Sequence, residues 1–305
     1  MGRHVLITGA YGFLGRHAAR RWAQAGWRVT GLGHGSWSRE DWGGWGIDDW
    51  HSVDITLDAL VTYAHEPDVV IHCAGSGAVS FSVTHPYQDF QRTVQTAAAV
   101  LEYVRTCAPR ARVVLPSSAA VYGNAQSLPI RESAPLRPVS PYGVHKDVAE
   151  RLAGSYARQF GIHVAIVRFF SIYGIGLRKQ LLWDACRKFS QGETEFAGTG
   201  EELRDWLHIS DATDLLSVAA EHAGVDCVTI NGGSGSASSV REVLSRIASG
   251  FPGVPAPHFS RAARTGDPAN FHADAALARS LGWSPKVDLD RGVEEYVGWF
   301  RQGAP

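Results

Sequence analysis

The sequence predicts an α/β fold, a doubly wound parallel sheet followed by a smaller C-terminal lid. Three observations predict it. Short apolar runs recur at 5–8, 68–74 (DVVIHCA), 111–117 (ARVVLPS) and 162–169 (IHVAIVRF), as strands covered on both faces do. Segments of helical length and periodicity, 87–106 and 142–160, lie between them; alternation of strand and helix is the signature of right-handed crossovers. Beyond about residue 172 the pattern breaks into short glycine-rich pieces (YGIGLRKQ, GTGEELRDW, NGGSGSAS) and a proline-rich final third.

Taken in order, residues 5–8 are a first strand. Gly9, Gly12 and Gly15 come next, then a helix-compatible stretch closed by Gly26 and Trp27, and a second strand over 28–32. Residues 1–172 are expected to form the main domain. Residues 173–305 form most of the lid, with segments returning to the core. Ligands in open α/β sheets sit at the C-terminal edge of the strands, so the lid is expected to cover that edge.

Composition narrows the classes. The 305 residues are 45% hydrophobic and 19% charged, with formal net charge −1. Such a balance leaves no electrostatic footprint for nucleic acid or an anionic membrane surface. Cys73, Cys107, Cys186 and Cys227 stand far apart with no C-x-x-C pair, which reads as reduced, buried thiols and no metal site. The strand pattern begins almost at the first residue, leaving no room for a signal peptide, and no apolar run has membrane-spanning length. A cytoplasmic location is expected.

The first strand and helix enclose GAYGFLG, residues 9–15. Gly9 allows a tight turn, Gly12 lets backbone approach a pyrophosphate, and Gly15 allows close helix–strand packing. Tyr11 and Phe13 lie on the same loop. A pyrophosphate would cap the helix, whose unpaired N–H groups and dipole favour anions. A second chemistry-bearing stretch is SPYGVHK, where Tyr142 and Lys146 share a helix face one turn apart. A free phenol titrates near pH 10. A nearby ammonium and the positive charge of an oxidised nicotinamide both favour phenolate, bringing the group towards working pH for proton transfer.

The G-x-x-G-x-x-G spacing, the SSAAVYG segment at 117–123 and the Tyr-x-x-x-Lys pair, in that order, resemble the extended short-chain dehydrogenase/reductase family, with its sugar-nucleotide epimerases, reductases and dehydratases. The resemblance covers nearly the whole chain. It implies a Rossmann domain in which Ser118 bonds the reacting sugar oxygen, Tyr142 is the general acid/base and Lys146 binds the nicotinamide ribose. It also implies that Asp54 and Ile55 hold the adenine and that Cys73, Ala74 and Gly75 end a strand lying against the cofactor. Asp54 as a helix cap and Cys73 as plain core filling are the alternatives. Members using NAD carry an acidic residue at the end of the second strand. Here Gly33 and His34 stand there, and His34, Ser36 and Arg39 are suited to a 2′-phosphate, so NADP(H) is expected over NAD(H). The alternative is that Glu40 or Asp41 folds back and selects NAD.

Departures from the family pattern narrow the reaction. Ala119 and Ala120 stand where 4,6-dehydratases carry an acidic pair, and where Ala120 stands the 3,5-epimerase/4-reductases carry a cysteine. Hydride transfer at one carbon survives. The resemblance places a nucleotide-diphosphate sugar against Ser171 (replacing the family's asparagine), Glu195, Phe196, Arg204, Arg264 and Asp267. Arginine's planar fork suits diphosphate oxygens. Reduction of a 4-keto sugar with NADPH is the leading expectation, a 4-epimerase using the same residues is the alternative, and a non-catalytic dinucleotide sensor is the third. Ser117 is read as bonding backbone, Tyr122 as a packing aromatic, His145 as exposed and Trp183 as core. Thr93 replaces a family asparagine without a physical account. The family's mode of assembly implies a homodimer formed by the helices near 87–106 and 142–160 as a four-helix bundle.

Overall fold

The computed structural model describes residues 3–260 and 270–303. In chain order its strands are β1 (His4–Thr8), β2 (Arg28–Gly33), β3 (Asp49–Ser52), β4 (Val69–His72), β5 (Arg112–Ser118) and β6 (His163–Phe169). After these come β7 (Ser171–Tyr173), β8 (Glu195–Phe196), β9 (Leu203–His208), β10 (Val228–Gly232), β11 (Ala237–Ser239) and β12 (His258–Phe259). The helices of the first part are α1 (Phe13–Gln24), α2 (Arg39–Gly44), α3 (Leu57–Tyr63), α4 (Val79–Thr84), α5 (Pro86–Phe90), α6 (Thr96–Cys107) and α7 (Pro141–Phe160). Those of the second are α8 (Gln180–Ser190), α9 (Ile209–Glu221), α10 (Val240–Ser249), α11 (Ala276–Ser280) and α12 (Leu289–Arg301).

Seven strands form one parallel sheet in the order β10-β6-β5-β4-β1-β2-β3. The expected doubly wound sheet is present. Its strands read as apolar runs because both faces are covered: all five residues of β1 are buried. One face packs on α1 and α9 through Ala18, Trp22, Leu215 and Leu216; the other packs on α6 and α7 through Val100, Val104, Ala149 and Ala153. Strand β10 returns from the later part of the chain to pair with β6. Outside the main sheet lie β11-β9-β7 and the β12-β8 pair. Beside them, α8, α10 and α12 close a separate core around Phe189, Leu244, Ile247 and Tyr296.

Local signals fix α7, the helix that carries Tyr142 and Lys146. Ser140 Oγ accepts from the Gly143 amide at 3.2 Å, satisfying a donor at the helix start. Pro141 supplies the fixed φ of the first turn, and Gly161, at φ 70°, ends the helix in the left-handed conformation. The segment expected as one helix over 87–106 is helical but not uniform. It begins at Pro86 and carries a π-turn over Gln91–Gln95 between α5 and α6. Such a turn inserts one residue into the ladder and rotates the helical turns beyond it, and no periodicity count over that window reveals one.

A buried ion pair joins these layers. Arg168 of β6 and Glu150 of α7 are 8% and 5% exposed and meet at 2.7 Å, with Arg168 Nε donating to both carboxylate oxygens at 3.0 and 3.1 Å. Ser117 of β5 donates to Glu150 at 2.5 Å, so this serine bonds a carboxylate and not backbone as expected. Tyr122 is fully buried behind it. Its hydroxyl accepts from Arg168 at 3.0 Å and donates to Asn231 of β10 at 2.7 Å. Removing one member of a buried pair strands the other charge. Glu150→Gln is therefore expected to cost about 3–5 kcal/mol of folding stability, measured by urea denaturation; a loss below about 1 kcal/mol, the value of a surface pair, refutes this role.

Candidate active site

The glycine loop is built as a cradle. Gly9 has φ +69°, and a Cβ there would lie 2.5 Å from the Ala74 nitrogen and 2.6 Å from the Cys73 carbonyl carbon. The loop therefore sits on the end of β4, bringing Cys73 and Ala74 beside it. A Cβ on Gly15 would lie 2.3 Å from the Gly9 oxygen. Helix α1 has Gly12 as its N-cap, with no side-chain cap and no acidic residue in its first turn. Its leading N–H groups are thus left to an anion. This chain's own residues fit a dinucleotide pyrophosphate. Phe13 is half-buried beside the loop, and Tyr11 lies over Gly35, where a Cβ would be 2.4 Å from its ring.

The far end of the cradle differs from expectation. His34 Nε2 lies 2.7 Å from Asp54 Oδ1, both side chains being largely exposed, so a carboxylate, which repels a 2′-phosphate, stands beside the histidine assigned to one. Asp54 is not a helix cap; Thr56 caps α3, accepting from the Ala59 amide at 3.2 Å. Ile55 is buried at 8% exposure. Ser36 lines a shallow cavity of about 610 Å³ with Gly35, Trp37, Trp42, Trp50 and Ser52. Arg39 begins α2 and lies 6.0 Å from the Trp42 ring centre. Asp41 is spent on a capping box with Ser38, so it does not fold back to a ribose.

At the C-terminal end of β5 the catalytic candidates converge. Ser118 caps the short 3-10 turn Ala119–Val121, its Oγ accepting from the Ala120 amide at 3.2 Å. Tyr142 is anchored through its backbone amide, which donates to Ser82 Oγ at 3.0 Å. Lys146 Nζ donates to the Pro116 carbonyl at 3.0 Å and lies 6.0 Å from the Tyr142 ring centre. A Cβ on Gly75 would stand 3.8 Å from that nitrogen, which places the end of the cofactor strand against Lys146. Burial pushes the Tyr142 phenol above its ordinary value, a hydrogen bond with Ser118 opposes the rise, and the charge of Asp89 adds to it. The phenol in the protein alone is thus held protonated, against the expectation that the ammonium draws it down. Burial also lowers Lys146, while Cys73, Asp89 and Glu150 pull the other way.

Cys73 is only half-buried, as is Cys107, whereas Cys186 and Cys227 are buried. Burial pushes the Cys73 thiol up to about 12. His145 is not exposed: its side chain is 14% accessible and its Nδ1 lies 2.5 Å from the fully buried Asp89. His72, which opens the HCAG strand end, bridges Thr8 at 2.7 Å and Thr96 at 3.3 Å, and burial lowers it to about 3, so it is neutral. Thr93 Oγ1 accepts from the Ser76 amide at 3.5 Å. Glu150 was legible in principle, four residues beyond Lys146 on the same helix face.

Among the substrate candidates, Ser171 is half-buried on β7, paired in register with Trp206. Arg204 is half-buried on β9, its Nη1 donating to the Leu203 carbonyl at 2.8 Å and its guanidinium 5.5 Å from the Phe271 ring. Glu195 is exposed, while Phe196 is 5% exposed and packs its ring on Phe189 at 5.4 Å, so its side chain lies in the core. Trp183 is half-buried against Phe300 at 5.3 Å. Arg264 and Asp267 lie outside the described residues.

A family model described as the NAD dependent epimerase/dehydratase family matches residues 5–231. The UDP-glucose 4-epimerase of Azospirillum brasilense is 31% identical, with the alignment covering 97% of this chain and 92% of that protein. MoeE5, solved in complex with UDP-glucuronic acid and NAD, is 30% identical with a TM-score of 0.86 over 98% of this chain and 99% of that one. A UDP-glucose 4-epimerase from Thermotoga maritima, solved with UDP-glucose, has a TM-score of 0.87 at 24% identity, covering 99% of this chain and 100% of that one; at that identity the likeness is one of fold. Dinucleotide titrations followed by tryptophan fluorescence test the far end of the cradle. Asp54→Ala frees His34 and is expected to raise the ratio of NADP to NAD affinity; an unchanged ratio refutes the pairing as a selector.

Proposed function

Because the chain belongs to the NAD dependent epimerase/dehydratase family, we propose that it interconverts the C4 epimers of a UDP-sugar with NAD as the resident cofactor. The observation that carries the reading is the meeting of Ser118, Tyr142 and Lys146 at the end of β5, followed by Ala119 and Ala120, which offer no acid or base for eliminating water. The named relatives support the sugar nucleotide and NAD. The ketoreductase expectation rested on the missing acidic residue after the second strand and so on NADPH; Asp54, beside His34, puts a carboxylate near that place, and the named relatives favour the epimerase reading.

In this reading Ser118 hydrogen-bonds the C4 oxygen and fixes it against the phenol. Tyr142, as phenolate, takes the hydroxyl proton and later gives it back to the same oxygen. NAD, when bound, would supply the hydride acceptor and donor for C4, with the two faces of the sugar ring presented to it in turn. The hydride and proton both come back, so nothing is consumed. Lys146 holds the nicotinamide ribose and adds positive charge beside the phenol. Gly9, Gly12 and Gly15 hold the pyrophosphate with the α1 N-terminus; Tyr11, Phe13, Cys73, Ala74 and Gly75 line the cofactor, and Asp54 and Ile55 hold the adenine end. Arg204 and Ser171 take the diphosphate and sugar side. Exposed apolar residues on α4, α5 and α7 (Val83, Tyr87, Val144 and Val148) support a homodimer through these helices.

Incubation with UDP-glucose, followed by proton NMR, is expected to yield UDP-galactose with no change in nicotinamide absorbance. Consumption of NADPH with a keto-sugar, and no epimer, supports a reductase instead. Tyr142→Phe is expected to lower kcat by about 10²–10⁴-fold, the range general acid–base catalysis supplies. Full activity in that variant removes Tyr142 from the mechanism. Because burial raises the phenol, the wild-type rate of the oxidative step is expected to climb with pH as phenolate forms, and Tyr142→Phe is expected to flatten that limb.

A further inference from the structure

Asp89 and His145 form a titratable cluster that the epimerisation chemistry leaves unused. Asp89, on α5, is 0% exposed. One carboxylate oxygen meets His145 Nδ1 at 2.5 Å, and the other has no hydrogen-bond partner among the described residues. A buried carboxylate with one partner is costly unless that partner carries the opposite charge or the carboxylate holds a proton. His145 is the side chain placed against that carboxylate. It precedes Lys146 and stands three residues after Tyr142 on α7, with its ring edge on Phe90 at 5.7 Å.

We propose that the Asp89–His145 pair is a positioning element of the active site: a buried carboxylate, held by an imidazole and packed under the Tyr142–Lys146 turn, that sets how readily Tyr142 parts with its proton. This role rests on Tyr142 being the acid/base of the proposed epimerisation. The groups acting on the turn come from several elements: Asp89 from α5, Ser118 from the end of β5, Cys73 from the end of β4 and Glu150 from α7 itself. Among those, Asp89 is the group that favours the protonated forms of both Tyr142 and Lys146. The imidazole of His145 holds one oxygen of that carboxylate, and the negative charge of Asp89 opposes phenolate formation in the turn above it.

The test reads the phenol itself and needs no turnover. Protein labelled with carbon-13 at the tyrosine Cζ is titrated by NMR, and the Tyr142 signal is identified by its absence in Tyr142→Phe. Asp89→Asn, which removes the negative charge, is expected to move the Tyr142 titration to lower pH. His145→Gln, which removes the imidazole that holds this carboxylate, is expected to move it to higher pH. A Tyr142 titration identical in wild type and both variants overturns the proposal. If Asp89→Asn does not fold, His145→Gln carries the test alone, with an upward shift expected and no shift overturning it. Shifted Tyr142 titrations in Asp89→Asn and His145→Gln together with full activity of Tyr142→Phe contradict the epimerase assignment of Tyr142 instead, so the two failures are distinguishable.

Discussion

The buried pair between Glu150 and Arg168 is the constraint on which the site depends. Through Glu150 it fixes the register of α7, and therefore where Tyr142 and Lys146 point. Ser117, bonded to the same carboxylate, is the immediate neighbour of Ser118, so Ser118 and the phenol are referenced to one group. Through Arg168 and Tyr122 the network reaches Asn231 on β10, tying the returning strand of the later chain to the catalytic layer. Such a pair adds little stability compared with apolar packing. Its value here is that it accepts one geometry.

Around that frame, burial decides the electrostatics. The phenol is held protonated by burial more than it is ionised by its neighbours. Lys146 is committed to the Pro116 carbonyl, so its position is set by backbone of the same strand that presents Ser118. A chemically reversible proton shuttle needs a group that neither keeps nor loses its proton too firmly. The arrangement supplies opposing influences on one phenol, and the bound cofactor's charge is one more of them. His72, neutral and bonded on both ring nitrogens, braces the end of β4 without contributing charge.

The features legible in the sequence were local. The glycine spacing, the Ser-Pro entry to α7 and the Tyr-x-x-x-Lys turn each depend on residues a few positions apart, and the doubly wound class follows from the alternation of strands with helices. The features that stayed hidden depend on pairing across the chain. His34 reads as a phosphate ligand until Asp54, twenty residues on, is seen beside it. His145 reads as a surface residue until Asp89 is folded against it. Phe196 reads as a ligand contact in the order of segments, but its side chain turns into the core shared by α8 and β8. The π-turn at Gln91–Gln95 leaves no mark in periodicity, because one inserted residue shifts a helical face without erasing it.

The most direct measurement is the fate of deuterium at C4. A UDP-sugar deuterated at C4 is incubated with the enzyme in ordinary water, and both epimers are isolated and studied by NMR. If the hydrogen leaves and returns within one active site while the proton passes through Tyr142, the deuterium remains at C4 of the product epimer, and that is the predicted result. Product carrying protium at C4 contradicts it, because the hydrogen would then have exchanged with solvent or come from an external dinucleotide.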